Sequence, residues 1–193
     1  MNDITQRNIR RIIGAIALLL PWVCMAVAWK IQSSISSYYF STARDLLTGA
    51  LLGIGTFLVA YQGYDKQDTQ VSTVAGIAAL VTGLVPGSIP PGVTARLGVL
   101  QLLPKASAAL HGLAAAVLFL SIFYMVMFLF TKGSSRTTQK KFRNILYRIC
   151  GLGILVGFAI FSTTILWSEV LMLTSFGIAW LVKGETLFQD QKA

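Results

Sequence analysis

Histidine occurs once in the 193 residues, at His111, cysteine twice, and the acidic residues number only seven. Each shortage excludes a class of chemistry. A zinc centre built on several imidazoles cannot form around one histidine. A single ion on His111, Asp45 and Glu169 lacks a strong anchor, so neither a metal nor a cofactor is expected. Cys24 and Cys150 form no Cys-x-x-Cys pair and cannot frame a small disulfide-built domain. Charged residues of both signs make up 12% of the chain, against about a quarter in a soluble domain. So few cannot cover a water-facing surface of this size.

What is present is apolar. Hydrophobic residues reach 55% and mean hydropathy is +0.70, which places the chain in a membrane. The net charge of +9 reflects scarce acids beside 16 basic residues. No basic groove or base-stacking pattern accompanies that charge, so no nucleic-acid partner is expected. Basic residues in such a chain are cytoplasmic anchors drawn to anionic headgroups.

Six apolar runs read as membrane helices: 9–29, 46–64, 71–85, 106–130, 145–161 and 168–182, the third and sixth short, as spans packed inside a bundle can be. Pro21 interrupts the first, which a membrane helix tolerates, and Pro86 stops the third. Ser162-Thr163-Thr164 serves as the turn between the last two. With the N-terminus inside, twelve Lys and Arg fall on the cytoplasmic side. They are Arg7, Arg10, Arg11, Lys66, Lys132, Arg136, Lys140, Lys141, Arg143, Arg148, Lys183 and Lys192. Four (Lys30, Arg44, Arg96 and Lys105) fall outside. The positive-inside rule thus predicts an all-α, polytopic bundle of six transmembrane helices forming a single integral domain over 1–193, with both termini cytoplasmic. On that topology Cys24 and Cys150 lie near opposite faces, well beyond the roughly 7 Å Cα limit for a disulfide. Arg7, Arg10, Arg11 and the apolar stretch to Ala26-Val27-Ala28 also resemble a cleavable signal peptide, but the stretch is long for one and its removal leaves an odd number of spans.

Small-xxx-small stripes at Gly49/Gly53 and Gly153/Gly157 are expected to bring helices close. No internal repeat relates the two halves, which disfavours an inverted-repeat transporter.

Ionisable residues inside spans are costly and point to function. Arg44 and Asp45 open the second run, His111 lies within the fourth and Glu169 begins the sixth, all at similar outer depth. Above them runs the hydroxyl-rich loop from Gln32 to Ser41. The pocket candidates are therefore Arg44, Asp45, His111, Glu169, Ser36 and Tyr38. Each has a plainer role available. Asp45 follows Thr42 at capping-box spacing, Arg44 can pair with Glu169 or reach headgroups, and His111 can bond a neighbouring helix. A nucleophile reading takes Ser36 or Ser37 with His111 as base and Asp45 or Glu169 as orienter, without an elbow or oxyanion motif. A proton relay through Glu169 and His111 finds no continuation across the bilayer centre. The segment Val93–Leu103 reads as interfacial, a connector or a cover for the pocket. The basic stretch 132–148 reads as an anchor to anionic lipid.

Ser34-Ile35-Ser36-Ser37-Tyr38-Tyr39, Arg44-Asp45, Tyr61-Gln62-Gly63-Tyr64, Leu110-His111, Tyr147-Arg148-Ile149-Cys150-Gly151, Glu169 and Lys183-Gly184-Glu185 together resemble a family of small six-span bacterial inner-membrane proteins. The resemblance covers nearly the whole chain and implies an inner (plasma) membrane location, with no assigned activity to carry over. A serine motif after the first span also resembles six-span families linked to lipid handling and the ceramidase and receptor-like hydrolase group. That group's zinc chemistry needs more histidines than this chain has.

The expected function is binding of a lipid headgroup or small polar ligand in an outward-facing polar pocket, or an accessory role to a membrane complex. Membrane lipids, a small polar ligand or a membrane-protein partner are the expected partners. The alternative is an intramembrane lipid or peptide hydrolase or transferase using His111 with Asp45 or Glu169. A small transporter or channel stands third.

Overall fold

Helices in this chain begin earlier than its apolar runs, most of them because their first turns are polar. The computed structural model describes residues 3–93, 98, 100–101, 103–133 and 137–186. Among these, six α-helices form: α1 (Asp3–Ala28), α2 (Arg44–Ala60), α3 (Lys66–Leu84), α4 (Pro104–Tyr124), α5 (Thr138–Ile160) and α6 (Ile165–Lys183). A short 3-10 turn, Ser36–Phe40, sits between α1 and α2, and α4 runs on as a π-helical segment, Met125–Leu129.

The extra turns have identifiable causes. Asp65 caps α3 by accepting from the Asp68 N–H at 2.9 Å, while the Asp68 carboxylate accepts from the Tyr64 N–H at 3.1 Å. Thr137 caps α5 through the Lys140 N–H at 3.1 Å. Both devices satisfy orphan donors of a first turn. Pro104 occupies the first turn of α4, where its missing N–H costs nothing. The capping box expected at Thr42 does not form. Ala43 holds the N-cap position of α2, and the Thr42 hydroxyl donates instead to the Val27 carbonyl at 3.3 Å.

The chain is all-α, and four helices, Ile4–Ala28, Pro104–Leu129, Thr138–Ile160 and Ile165–Lys183, are long and apolar enough to cross a membrane. Their outward faces carry exposed Leu19, Leu113, Leu120, Ile149, Leu152 and Val156. An apolar periphery of this kind suits hydrocarbon rather than water. α2 has 17 residues, about 26 Å at 1.5 Å per residue, and α3 starts with polar turns.

The helices close a ring in which α1 meets α2 and α6, α3 meets α2 and α4, and α5 meets α6; α4 and α5 touch least. Two glycine crossings set the closest approaches. A Cβ on Gly14 would lie 2.8 Å from the Gly177 carbonyl, and one on Gly177 2.8 Å from the Gly14 carbonyl, so α1 and α6 pack backbone to backbone. Gly55 and Gly76 do the same for α2 and α3. Of the stripes read from sequence, Gly153 and Gly157 do face α6, at Ser175 and Met172. Gly49 and Gly53 face open space, so that stripe serves no helix contact within the chain. Arg11 secures the end of α6 by donating to the Gly184 and Glu185 carbonyls at 2.9 and 3.1 Å, and Arg7 pairs with Glu185 at 3.0 Å.

Candidate functional site

The serines after α1 divide their labour. The Ser34 and Ser37 hydroxyls lie 2.7 Å apart, Ser33 reaches Ser37 at 3.2 Å, and the Ser37 N–H donates to Ser34 Oγ at 3.0 Å. These bonds fix the 3-10 turn and aim Ser36 inward. Ser36 Oγ lies 2.8 Å from His111 Nε2 on α4 and 3.2 Å from Glu169 Oε1 on α6. The Ile35 N–H donates to Glu169 Oε2. Three separate elements thus meet at one hydroxyl.

Pro86 completes the arrangement from a distance. The residue before a proline is driven out of the helical region, and Val85 accordingly ends α3 at φ −98° and ψ 118°. Its carbonyl has no following turn to bond and lies 2.7 Å from His111 Nδ1. A carbonyl only accepts, so Nδ1 carries the proton. With a neutral ring, Nε2 must then accept from the Ser36 hydroxyl, and Ser36 Oγ must accept from a protonated Glu169. In the other form that satisfies every group, an imidazolium Nε2–H donates to Ser36 and the Ser36 hydroxyl donates to the Glu169 carboxylate. Both forms hold the same number of protons and differ by a proton passed across Ser36. Between these two forms a proton can pass from Glu169 to His111 across Ser36 with no heavy atom displaced.

Two spaces adjoin the triad. One, of about 40 Å³, lies between Leu20, Leu47, Leu51, Leu118 and Leu173, with Ser36, His111 and Glu169 on its wall. It has room for a few waters. The other, of about 340 Å³, is an apolar groove beside α4, walled by Phe119, Phe158, Phe161 and Met172. Gly112, Ala115 and Ala116 leave that space because their side chains are small, and α4 and α5 do not close over it. His111 and Glu169 border both spaces.

The remaining candidates lie apart. The Arg44 guanidinium stacks on the Tyr39 ring, 5.0 Å from its centroid, and approaches the Asp45 carboxylate at 3.5 Å rather than Glu169. Tyr39 lines the smaller cavity; Arg44 does not. The Asp45 side chain is 96% exposed and lines neither space. Tyr38 is buried and structural: its hydroxyl donates to the Lys30 carbonyl at 2.8 Å and accepts from the Gln32 N–H at 3.3 Å. Within the segment read as a cover, residues 94–97, 99 and 102 lie outside the described residues, while Gly98 packs against the Tyr39 hydroxyl and Arg44. The Val85 carbonyl is the participant that side-chain reasoning missed; Pro86 was its signal.

No protein-family model, no curated protein and no solved structure matches this chain.

Proposed function

We infer that this is a six-span membrane protein of the bacterial inner membrane, with both termini cytoplasmic, that binds the polar end of a lipid at Ser36, His111 and Glu169. The observation that carries the reading is the convergence of those three side chains beside a 340 Å³ apolar groove. A polar cluster alone suits a small polar ligand. An adjoining groove open between α4 and α5 suits an acyl chain entering from the bilayer, and its volume falls within the range of ligand pockets. The short α2 and polar-started α3 still serve as spans, because they pack on each other and on α1 and α4. Basic residues gather at the end holding both termini, as cytoplasmic placement requires. The same basic ends suit contact with anionic membrane lipids and leave room for a membrane-protein partner.

The test is native mass spectrometry of the full chain released from nanodiscs of mixed bacterial phospholipids. Retained lipid should fall in Ser36→Ala, His111→Ala and Glu169→Gln and persist in Asp45→Asn. Equal retention in all four sinks the reading.

One observation favours a second reading, an intramembrane lipid hydrolase or transferase. Ser36 Oγ stands at hydrogen-bond distance from an imidazole whose other nitrogen is held by Val85, the geometry of a serine–histidine dyad. Ser36 would attack an ester carbonyl as its proton passes to Nε2 and then to the leaving alcohol. Covalent capture of Ser36 by a fluorophosphonate, lost in His111→Ala, supports catalysis; no labelling leaves the binding reading.

A further inference from the structure

At the opposite end of the bundle lies another cavity, of about 480 Å³, whose wall carries Arg10, Lys132, Lys140, Arg143 and Lys183 against one carboxylate, Glu185. The cations come from α1, α5, α6 and the segment after α4, so the fold gathers them rather than one basic run. Glu185 is already engaged by Arg7 at 3.0 Å. Lys132 is matched by Asp65 and Asp68, each at 2.9 Å.

Lys183 is the residue that points to a ligand. It is only 7% exposed, and its ammonium rests on two aromatic faces, 4.3 Å from the Tyr64 centroid and 4.7 Å from that of Phe130. Among the described residues it has no carboxylate partner. An amine buried on two ring faces, and lining a cavity with further cations, would be held in its charged form by an anion. Arg10 sits similarly over Tyr61 at 5.4 Å, and Lys140 donates to the Phe130 carbonyl at 3.0 Å, which fixes it at the rim. A ring of guanidinium and ammonium groups over an aromatic floor matches the charge and the several acceptor oxygens of a phosphate group.

We propose that this cavity is a binding site for a phosphate-bearing anion, built at the ends of α1, α5 and α6 and separate from the Ser36 site. The same chemistry is offered by the headgroup of an anionic phospholipid and by a soluble phosphorylated compound.

The experiment uses the full chain in nanodiscs of phosphatidylcholine alone, with two probes: inorganic pyrophosphate added in solution, and phosphatidylglycerol added to the bilayer. Pyrophosphate is followed by calorimetry and phosphatidylglycerol by native mass spectrometry. Variants are Lys183→Met, Lys140→Gln at the half-exposed rim, and Lys66→Gln, which removes the same charge from an exposed position outside the cavity. Saturable binding weakened about tenfold or more in Lys183→Met and Lys140→Gln, and unchanged in Lys66→Gln, is expected from loss of one charge-assisted contact. Should Lys183→Met fail to fold, Lys140→Gln decides. Binding of phosphatidylglycerol alone identifies a lipid headgroup as the source. Binding of pyrophosphate alone identifies a soluble compound, and competition between them a site open to both. No saturable binding of either probe, or equal weakening in Lys66→Gln, overturns the proposal.

Discussion

Ser36 has one hydroxyl proton and two neighbours able to take it, His111 Nε2 and Glu169 Oε1, and the way that competition resolves defines the site. Ser36 was legible as a pocket candidate among the five serines of this loop, but not apart from Ser37 as a nucleophile, because which hydroxyl turns inward depends on the 3-10 turn that Ser33, Ser34 and Ser37 hold together. Arg44 and Asp45 were expected at the depth of His111 and Glu169, yet neither lines the spaces beside them, a distinction that depth alone does not make. At the other end, the Lys132 ammonium, hydrogen-bonded to Asp65, holds the Asp65 carboxyl below its ordinary range, and the same pair raises Lys132. A carboxyl whose folded value is depressed stabilises above its unfolded value and loses that contribution as pH falls through the folded one. The melting-temperature advantage of the wild type over Lys132→Met is therefore expected at pH 7 and should shrink below about pH 4, the ordinary Asp range. Added salt should reduce the gap, since both groups face solvent. A gap constant from pH 7 to pH 3 contradicts the pairing.

Among the elements, α1 with α6 and α2 with α3 are pairs sensitive to a single methyl group. Gly177→Leu drives a side chain into the α1 backbone at Gly14 and Leu18, an overpacking that costs about 1–3 kcal/mol. Gly49→Leu meets open space and should leave thermal unfolding in detergent nearly unchanged; equal losses contradict the crossing. This pair also marks how far the sequence could be read. The small residues of α2 and of α1 with α6 look alike in a hydropathy trace, and only the direction each faces separates a crossing from an empty surface. All six helices were legible from their apolar runs, and four of them are long and apolar enough to cross a membrane. Their true starts at Asp3, Lys66 and Thr138 were not, because caps and polar first turns lie outside any apolar run. The Val85 carbonyl was hidden for another reason: a backbone group leaves no composition signal, and only Pro86 betrayed it.

For the whole molecule, two polar clusters stand at opposite ends of an apolar bundle, one a Ser36–His111–Glu169 triad beside a lateral groove, one strongly basic. On the proposed six-span arrangement this becomes a statement about sides of the membrane. A cysteine at Ile31 should react with an impermeant maleimide on intact cells, and one at Lys66 only after the cytoplasmic face is opened, with Cys24 and Cys150 silent because they are buried. Reaction of both on intact cells contradicts the topology. The most direct test of the central claim is photo-crosslinking of the reconstituted protein with a phospholipid carrying a diazirine on its acyl chain, read by peptide mass spectrometry. Labelling should concentrate on Phe158, Phe161 and Met172 and drop when Ala116→Phe fills the groove. Labelling spread evenly over outward residues such as Leu113, Leu120 and Leu152, and indifferent to Ala116→Phe, would mean that the groove beside Ser36, His111 and Glu169 holds no lipid.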